Sequence, residues 1–153
     1  VGYMMDSYML FTLQNYAAKL VEKETSPKYY FMDTGLLGLM LMDCSSAQLE
    51  NLVAIELIRR YGRENVFYFE KNVEIDLYVP EEKLAIQVSL QVLDQIDTRE
   101  REIGAFVKLK NFIGDATCLL ITNSEEEELD YEGVHVSVVP VWKWLLQNRK
   151  QDI

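Results

Sequence analysis

The sequence is poor in the residues that metal and nucleophilic sites use most. Among its 153 residues there are one histidine, His135, and two cysteines, Cys44 and Cys118. The cysteines sit in mainly apolar contexts with no CxxC or Cys/His spacing, so they read as reduced core thiols of a cytosolic protein rather than as a disulfide or zinc site. A Ser/His or Cys/His catalytic arrangement would rest on His135 alone, and nothing else points there. Basic residues are also in deficit, 15 Lys and Arg against 25 Asp and Glu, for a net charge of -10. That field opposes unaided binding to a phosphate backbone and leaves a local basic patch as the route to nucleic acid. No apolar run reaches the ~18 residues of a membrane-spanning helix. Neither GxxxxGK[ST] nor GxGxxG occurs, so no loop is built to cradle nucleotide phosphates. The opening VGYMMDSYMLF lacks an initiating methionine and the basic start of a signal peptide, which leads us to expect a cytoplasmic chain cut from a longer protein.

What is present is the composition of a soluble globular domain, 49% hydrophobic and 26% charged. Residues 3–21 fit a helix about as well as a short helix followed by a strand. KYYFM at 28–32 reads as a strand, and LLGLMLM at 36–42 as a buried helix. A capping box of Ser45 and Gln48 opens the helix LENLVAIELIRRY, which stops near Gly62. Three strands follow at 66–70, 73–79 and 83–89, forming a meander. Asp97 with Glu100 is expected to cap a helix through TREREIGAFVKLK, with Ile103, Phe106 and Val107 as its apolar stripe. Strands at 117–122 and 134–139 and a helix after Pro140 complete an α/β domain with a mixed central sheet. The acidic run Glu125 to Glu128 reads as a solvated loop or helix start.

The segment EIDLYVPEEKLAIQVS, residues 74–89, carries the most chemistry. Side chains alternate faces along a strand, so Glu74, Asp76 and Tyr78 point one way, and Lys83, Ala85, Gln87 and Ser89 share a face. Adjacent strands bring Asp76 toward Gln87 and Ser89. On the preceding helix Glu50 lies at the edge of an inward-leaning apolar face, within reach of the same spot.

The order LENLVAIEL, EIDLYV, LAIQVS and a TRERE helix resembles the nuclease-like C-terminal domain that follows an AAA-type ATPase domain in many bacterial and archaeal proteins. That domain has the fold of the PD-(D/E)XK restriction-endonuclease superfamily. SPKYYFMDTGLLG at 26–38 and YEGVHVSVVPVWKWLL extend the resemblance over nearly the whole chain. It implies a linking segment over 1–27, with a strand near residues 9–15 pairing with 28–32, and a nuclease-like domain over 28–153. It also implies that ATP is bound by an upstream ATPase domain, the partner of this one, outside these residues. The superfamily's helical acid matches Glu50 and its first strand acid matches Asp76. The second acid falls on Gln87 and the lysine on Ser89. That chemistry needs carboxylates to hold Mg²⁺ and a cation to offset charge at the phosphate. Gln87 offers a neutral carbonyl and Ser89 no positive charge, so the resemblance implies a degenerate site in which Glu50 and Asp76 hold a metal weakly, if at all. Gln87→Glu with Ser89→Lys is then expected to raise metal affinity.

Blander readings stand beside these. Asp76 can bond a nearby backbone group, and Glu50 can belong to a helix start. Glu56 fits an i,i+4 partner for Arg60. Lys71, in a turn between strands, is a candidate to replace the missing lysine by folding over the site, which is the arrangement an active endonuclease on DNA would need. Arg99, Arg101, Lys108 and Lys110, with Arg59, Arg60 and Arg63, would line a basic surface, but Glu100 and Glu102 interrupt it and favour a solvated helix face. Tyr29, Tyr30, Trp142 and Trp144 read as core or interface anchors. The functions in view are a non-catalytic interaction module for protein or nucleic acid, an active metal-dependent endonuclease, and an oligomerisation domain.

Overall fold

Hydrophobic periodicity of two and of 3.6 alternates along the chain, and the computed structural model folds accordingly into one sheet with helices on both faces. It describes residues 2–20, 25–35 and 45–147, with only the main chain of Met4 and Met5. The expected helix at 36–42 and Cys44 lie outside these residues. Helix α1 (Gly2–Asp6), strand β1 (Leu10–Asn15), α2 (Tyr16–Leu20) and β2 (Lys28–Phe31) come first. Then follow α3 (Ser45–Tyr61), a short 3₁₀ turn (Arg63–Asn65), β3 (Phe67–Glu70), β4 (Glu74–Val79) and β5 (Leu84–Val88). The rest comprises α4 (Ile96–Ile113), β6 (Thr117–Thr122), β7 (Glu127–Tyr131), β8 (Val134–Pro140) and α5 (Val141–Gln147).

The eight strands lie in the order β2-β1-β3-β4-β5-β6-β8-β7. β1 resolves the ambiguity of residues 3–21 in favour of a short helix and a strand, and it pairs antiparallel with β2, Leu10 opposite Phe31. β3, β4 and β5 form the expected antiparallel meander. β5, β6 and β8 run parallel. These pairings put the C-terminal ends of β1, β3, β5, β6 and β8 at one end of the sheet, beside the first residues of β2 and β4.

Leu49, Val53, Ala54 and Leu57 of α3 join Trp144 of α5 and Leu77, Leu84, Ile86 and Val88 in one core. Ile103, Phe106 and Leu109 of α4 pack with Tyr78, Ala85, Leu120, Val136 and Val138 on the opposite face. The alternation of Leu84, Ala85 and Ile86 between these cores follows from the two-residue period of a strand. α3 ends at Gly62, whose φ of 84° is the left-handed backbone glycine tolerates best.

Two expectations change. The acidic run, expected as a solvated loop or helix start, is only in part a loop: Glu127 and Glu128 begin β7 with exposed side chains, and the half-buried Glu125 accepts from the Val92 N–H at 2.6 Å and the Leu93 N–H at 3.2 Å. β7 and β8 are joined by Glu132 and Gly133, with φ of 46° and 78°, the two positive values of a tight hairpin turn. Asp97 does not cap α4. Gln95 holds that position without a side-chain cap bond, and Asp97 lies in the first turn, where its charge complements the positive end of the helix dipole.

Buried carboxamides finish the ends of the sheet. Asn15 donates from Nδ2 to the Glu70 carbonyl at 2.9 Å and accepts the Glu70 N–H at 3.0 Å, tying β1 to β3. Asn51 on α3 accepts the Phe31 N–H at 2.8 Å and donates to the Phe31 carbonyl at 3.0 Å, which closes part of the outer edge of β2. Each satisfies a donor and an acceptor that would otherwise be costly to bury.

Candidate functional site

Glu50, Glu74, Asp76 and Gln87 all belong to the end of the sheet where β5 finishes and β4 begins. The paired register of these strands runs from Val79 opposite Leu84 to Leu77 opposite Ile86. Beyond it the main chains part, and side chains fill the opening. Gln87 Oε1 accepts the Asp76 N–H at 2.8 Å, and its Nε2 donates to the Glu74 carbonyl at 3.1 Å. In return Asp76 Oδ2 accepts the Val88 N–H at 2.8 Å. Two of the four positions singled out in the sequence therefore zip the splayed strands together.

Ser89 does not join them. β5 ends at Val88, and the Ser89 N–H turns to the Ile121 carbonyl at 3.0 Å. Its hydroxyl donates to the Gln91 carbonyl at 3.1 Å. It lines a separate cavity with Ser45, Gln48, Gln95 and Asn123. Lys71 also stays away, its ammonium lying over the Phe112 ring, 5.6 Å from the centroid.

The cation at the site comes from β2. Lys28 Nζ lies 2.7 Å from Glu74 Oε1 and 5.2 Å from the centroid of Tyr68. Two residues on, and therefore on the same face, the buried Tyr30 donates its hydroxyl to Glu50 Oε1 at 2.8 Å. Burial draws the Lys28 ammonium down, but the bond to Glu74 and the fields of Glu50 and Asp76 outweigh it and raise its pKa. Burial first, and then the field of Glu50, push the Asp76 carboxyl up to about 7; the Val88 N–H and Lys28 pull the other way. Tyr30 is raised by burial and by Glu50, so it remains a neutral donor. Lys28 and Tyr30 went unassigned to this site in the sequence, although their i, i+2 spacing in KYYF put both on one face.

A cavity of about 580 Å³ opens beside Asp76 and Gln87, bordered by Glu74, Glu100, Glu102 and Glu132 with Arg101 and Lys108. Arg101 is engaged by Glu102, at 2.6 Å from Nη2 to Oε1. The other basic residues do not assemble into one surface, because α3 and α4 pack on opposite faces of the sheet. Arg59 and Arg60 both hold Glu56 at 2.8 Å, and Lys110 pairs with Asp115 at 2.9 Å. Arg60 also stacks on Trp144, 4.2 Å from its centroid. Tyr30 and Trp144 are buried anchors, while Tyr29 and Trp142 are exposed. His135 is exposed, between Asp130 at 2.8 Å and Glu128 at 3.0 Å.

The donor set does not fit the Mg²⁺ ion that the resemblance implies. Such an ion needs an array of free oxygens in near-octahedral arrangement. Here one oxygen of each carboxylate and the single oxygen of Gln87 are already engaged: Asp76 Oδ2 and Gln87 Oε1 by main-chain N–H groups, Glu50 Oε1 by a phenol and Glu74 Oε1 by an ammonium. Among the described residues no group of three His, Cys, Asp or Glu side chains is arranged to hold a metal. No described helix is long and apolar enough to cross a membrane.

No family model matches the sequence, and no solved structure matches it. It is similar to an uncharacterized protein of Methanocaldococcus jannaschii, with 32% identity over 154 residues covering 94% of this chain. The chain spans about a third of that relative, 34% of its length.

Proposed function

We propose that this chain is a non-catalytic, nuclease-like domain of the PD-(D/E)XK fold, one part of a longer AAA-type ATPase, and that it acts as an interaction module. The order α3, β3-β4-β5, α4, β6, with an antiparallel meander and β6 parallel to β5, supports the fold. The convergence of Glu50 and Asp76 near one end of the sheet supports descent from a phosphodiesterase site. The longer relative is in keeping with a parent of several domains. ATP hydrolysis belongs, on this reading, to the upstream domain, and the parent works in the cytoplasm.

The observation that carries the reading is the Gln87 carboxamide, bonded at both ends to the main chain of β4 where the superfamily's chemistry wants a free carboxylate. With Ser89 turned away, the transition state of phosphodiester hydrolysis would lack an anionic ligand and the usual ammonium, and with them its main electrostatic support. The alternative, an active metal-dependent endonuclease on DNA, is favoured by the Lys28 ammonium, a cation bonded to Glu74 that sequence reasoning did not place at this site. Incubating the domain with DNA and Mg²⁺ or Mn²⁺ separates the two. The interaction module leaves the DNA intact, and the endonuclease cuts it.

A further inference from the structure

The two edge strands of the sheet are finished differently. At β2 the Asn51 side chain accepts the Phe31 N–H and donates to the Phe31 carbonyl, which closes part of the outer ladder. β7 pairs only with β8, and Tyr131 stands opposite Val134 beside the two-residue turn. The pair that closes such a turn exchanges both main-chain bonds, and the exchange recurs at every second residue. Leu129 and Glu127 therefore bond β8 as well, while the N–H and C=O groups of Glu128 and Asp130 face outward. Among the described residues no strand or side chain closes them.

An open ladder of this kind can pair with another extended chain, and the side chains along it select which. From Glu125 to Gly133 the sequence holds six acids and no Lys or Arg. Glu127, Glu128 and Asp130 are exposed. The single imidazole of His135 is shared between Glu128 and Asp130, and Lys143 pairs with Glu126, so these two cations leave the edge negative. A second copy of the same edge would set acids opposite acids, which is destabilising. On the other face of β7, Leu129 is buried and Tyr131, two residues on, is 38% exposed. A strand laid alongside would extend that apolar strip.

We infer that the outer edge of β7 docks an extended basic segment of a partner protein, added to the sheet as a further strand with Lys or Arg facing Glu128 and Asp130 and apolar side chains facing Leu129 and Tyr131. Main-chain bonds supply the affinity in this mode, and alternate side chains the specificity. The inference rests on the interaction-module reading and gives it a surface and a partner chemistry.

The probe is a labelled peptide of alternating Lys and Val. One control carries Glu in place of Lys; the other is N-methylated on its Lys residues, which keeps the charge and removes the donors that face β7. In the protein, Glu128→Gln with Asp130→Asn removes charge, and Glu128→Pro removes an outward N–H while sparing the bonds to β8, a position where an edge strand tolerates proline. Binding is measured by fluorescence anisotropy at low salt and mapped by amide NMR. The Lys-Val peptide is expected to bind the unaltered protein, with the shifts centred on Glu128 and Asp130. Its affinity is expected to exceed that of the Glu-Val peptide, and that of the double variant for the Lys-Val peptide, by about tenfold, the sum of two or three cross-strand charge pairs. The N-methylated peptide and Glu128→Pro are expected to lose binding. No binding by the Lys-Val peptide, equal binding by its N-methylated form, or shifts away from β7 overturns the inference and leaves the interaction-module reading intact; cleavage of DNA by the domain overturns that reading instead. A dimer joined through β7 without peptide also overturns the inference, in favour of a second copy. If Glu128→Pro fails to fold, the N-methylated peptide on the unaltered protein decides the same point.

Discussion

Asp76 and Gln87 hold each other's strands: the Asp76 N–H donates to Gln87 Oε1 at 2.8 Å, and Asp76 Oδ2 accepts the N–H of Val88, the next residue along β5. This exchange makes two residues with a catalytic look into the closure of an opening in the sheet. It explains how a carboxamide is accommodated at a buried position between these strands.

Gln87→Glu tests that closure. A carboxylate can still accept the Asp76 N–H but has no donor for the Glu74 carbonyl, and it adds a charge beside Asp76. We expect a loss of roughly 1–3 kcal/mol in urea unfolding. Of the paired change Gln87→Glu with Ser89→Lys, only the glutamate is placed to act on this site, because Ser89 faces a different cavity; calorimetry with Mn²⁺ on Gln87→Glu alone and on the pair is expected to give the same affinity.

Asp76 sets a pH dependence. Its folded pKa is raised from 3.8 to about 7, chiefly by burial. The folded state therefore holds a proton that the unfolded state has lost. The resulting stabilisation is full below pH ~4 and is lost as pH rises through ~7, up to about 4 kcal/mol at a 1.4 kcal/mol per unit scale. Asp76→Asn removes this slope. Urea unfolding at pH 5 and pH 8 is expected to show the unaltered protein losing stability between them while the variant changes less. Equal slopes contradict the assignment.

Asn51→Ala opens the outer edge of β2. It removes two bonds to Phe31 from a residue only 2% exposed, an expected loss of about 2–3 kcal/mol. An unprotected edge strand also favours association, so light scattering should detect aggregation at concentrations where the unaltered protein shows none.

Long periodic elements were legible from sequence because period 3.6 in LENLVAIELIRRY and period 2 in the meander reflect burial directly. Strand β7 was not. EELDY buries only Leu129, and four exposed side chains hide a strand among acids; the Glu-Gly pair that follows was its one local signal. At the site, the alternation rule carried Gln87 and Asp76 to the same place but failed for Ser89, since β5 ends one residue earlier. Lys28 was missed because its partners lie far along the chain, Glu74 being 46 residues away. Local pattern records which face a residue takes, and not which distant charge it meets there.

The central claim is that this constellation no longer hydrolyses phosphodiesters. The direct measurement is nicking of supercoiled plasmid and cleavage of single-stranded DNA by the purified domain in Mg²⁺ or Mn²⁺, beside Asp76→Ala. The account predicts no cleavage by either protein above the buffer control. Cleavage by the unaltered domain that vanishes in Asp76→Ala would contradict it.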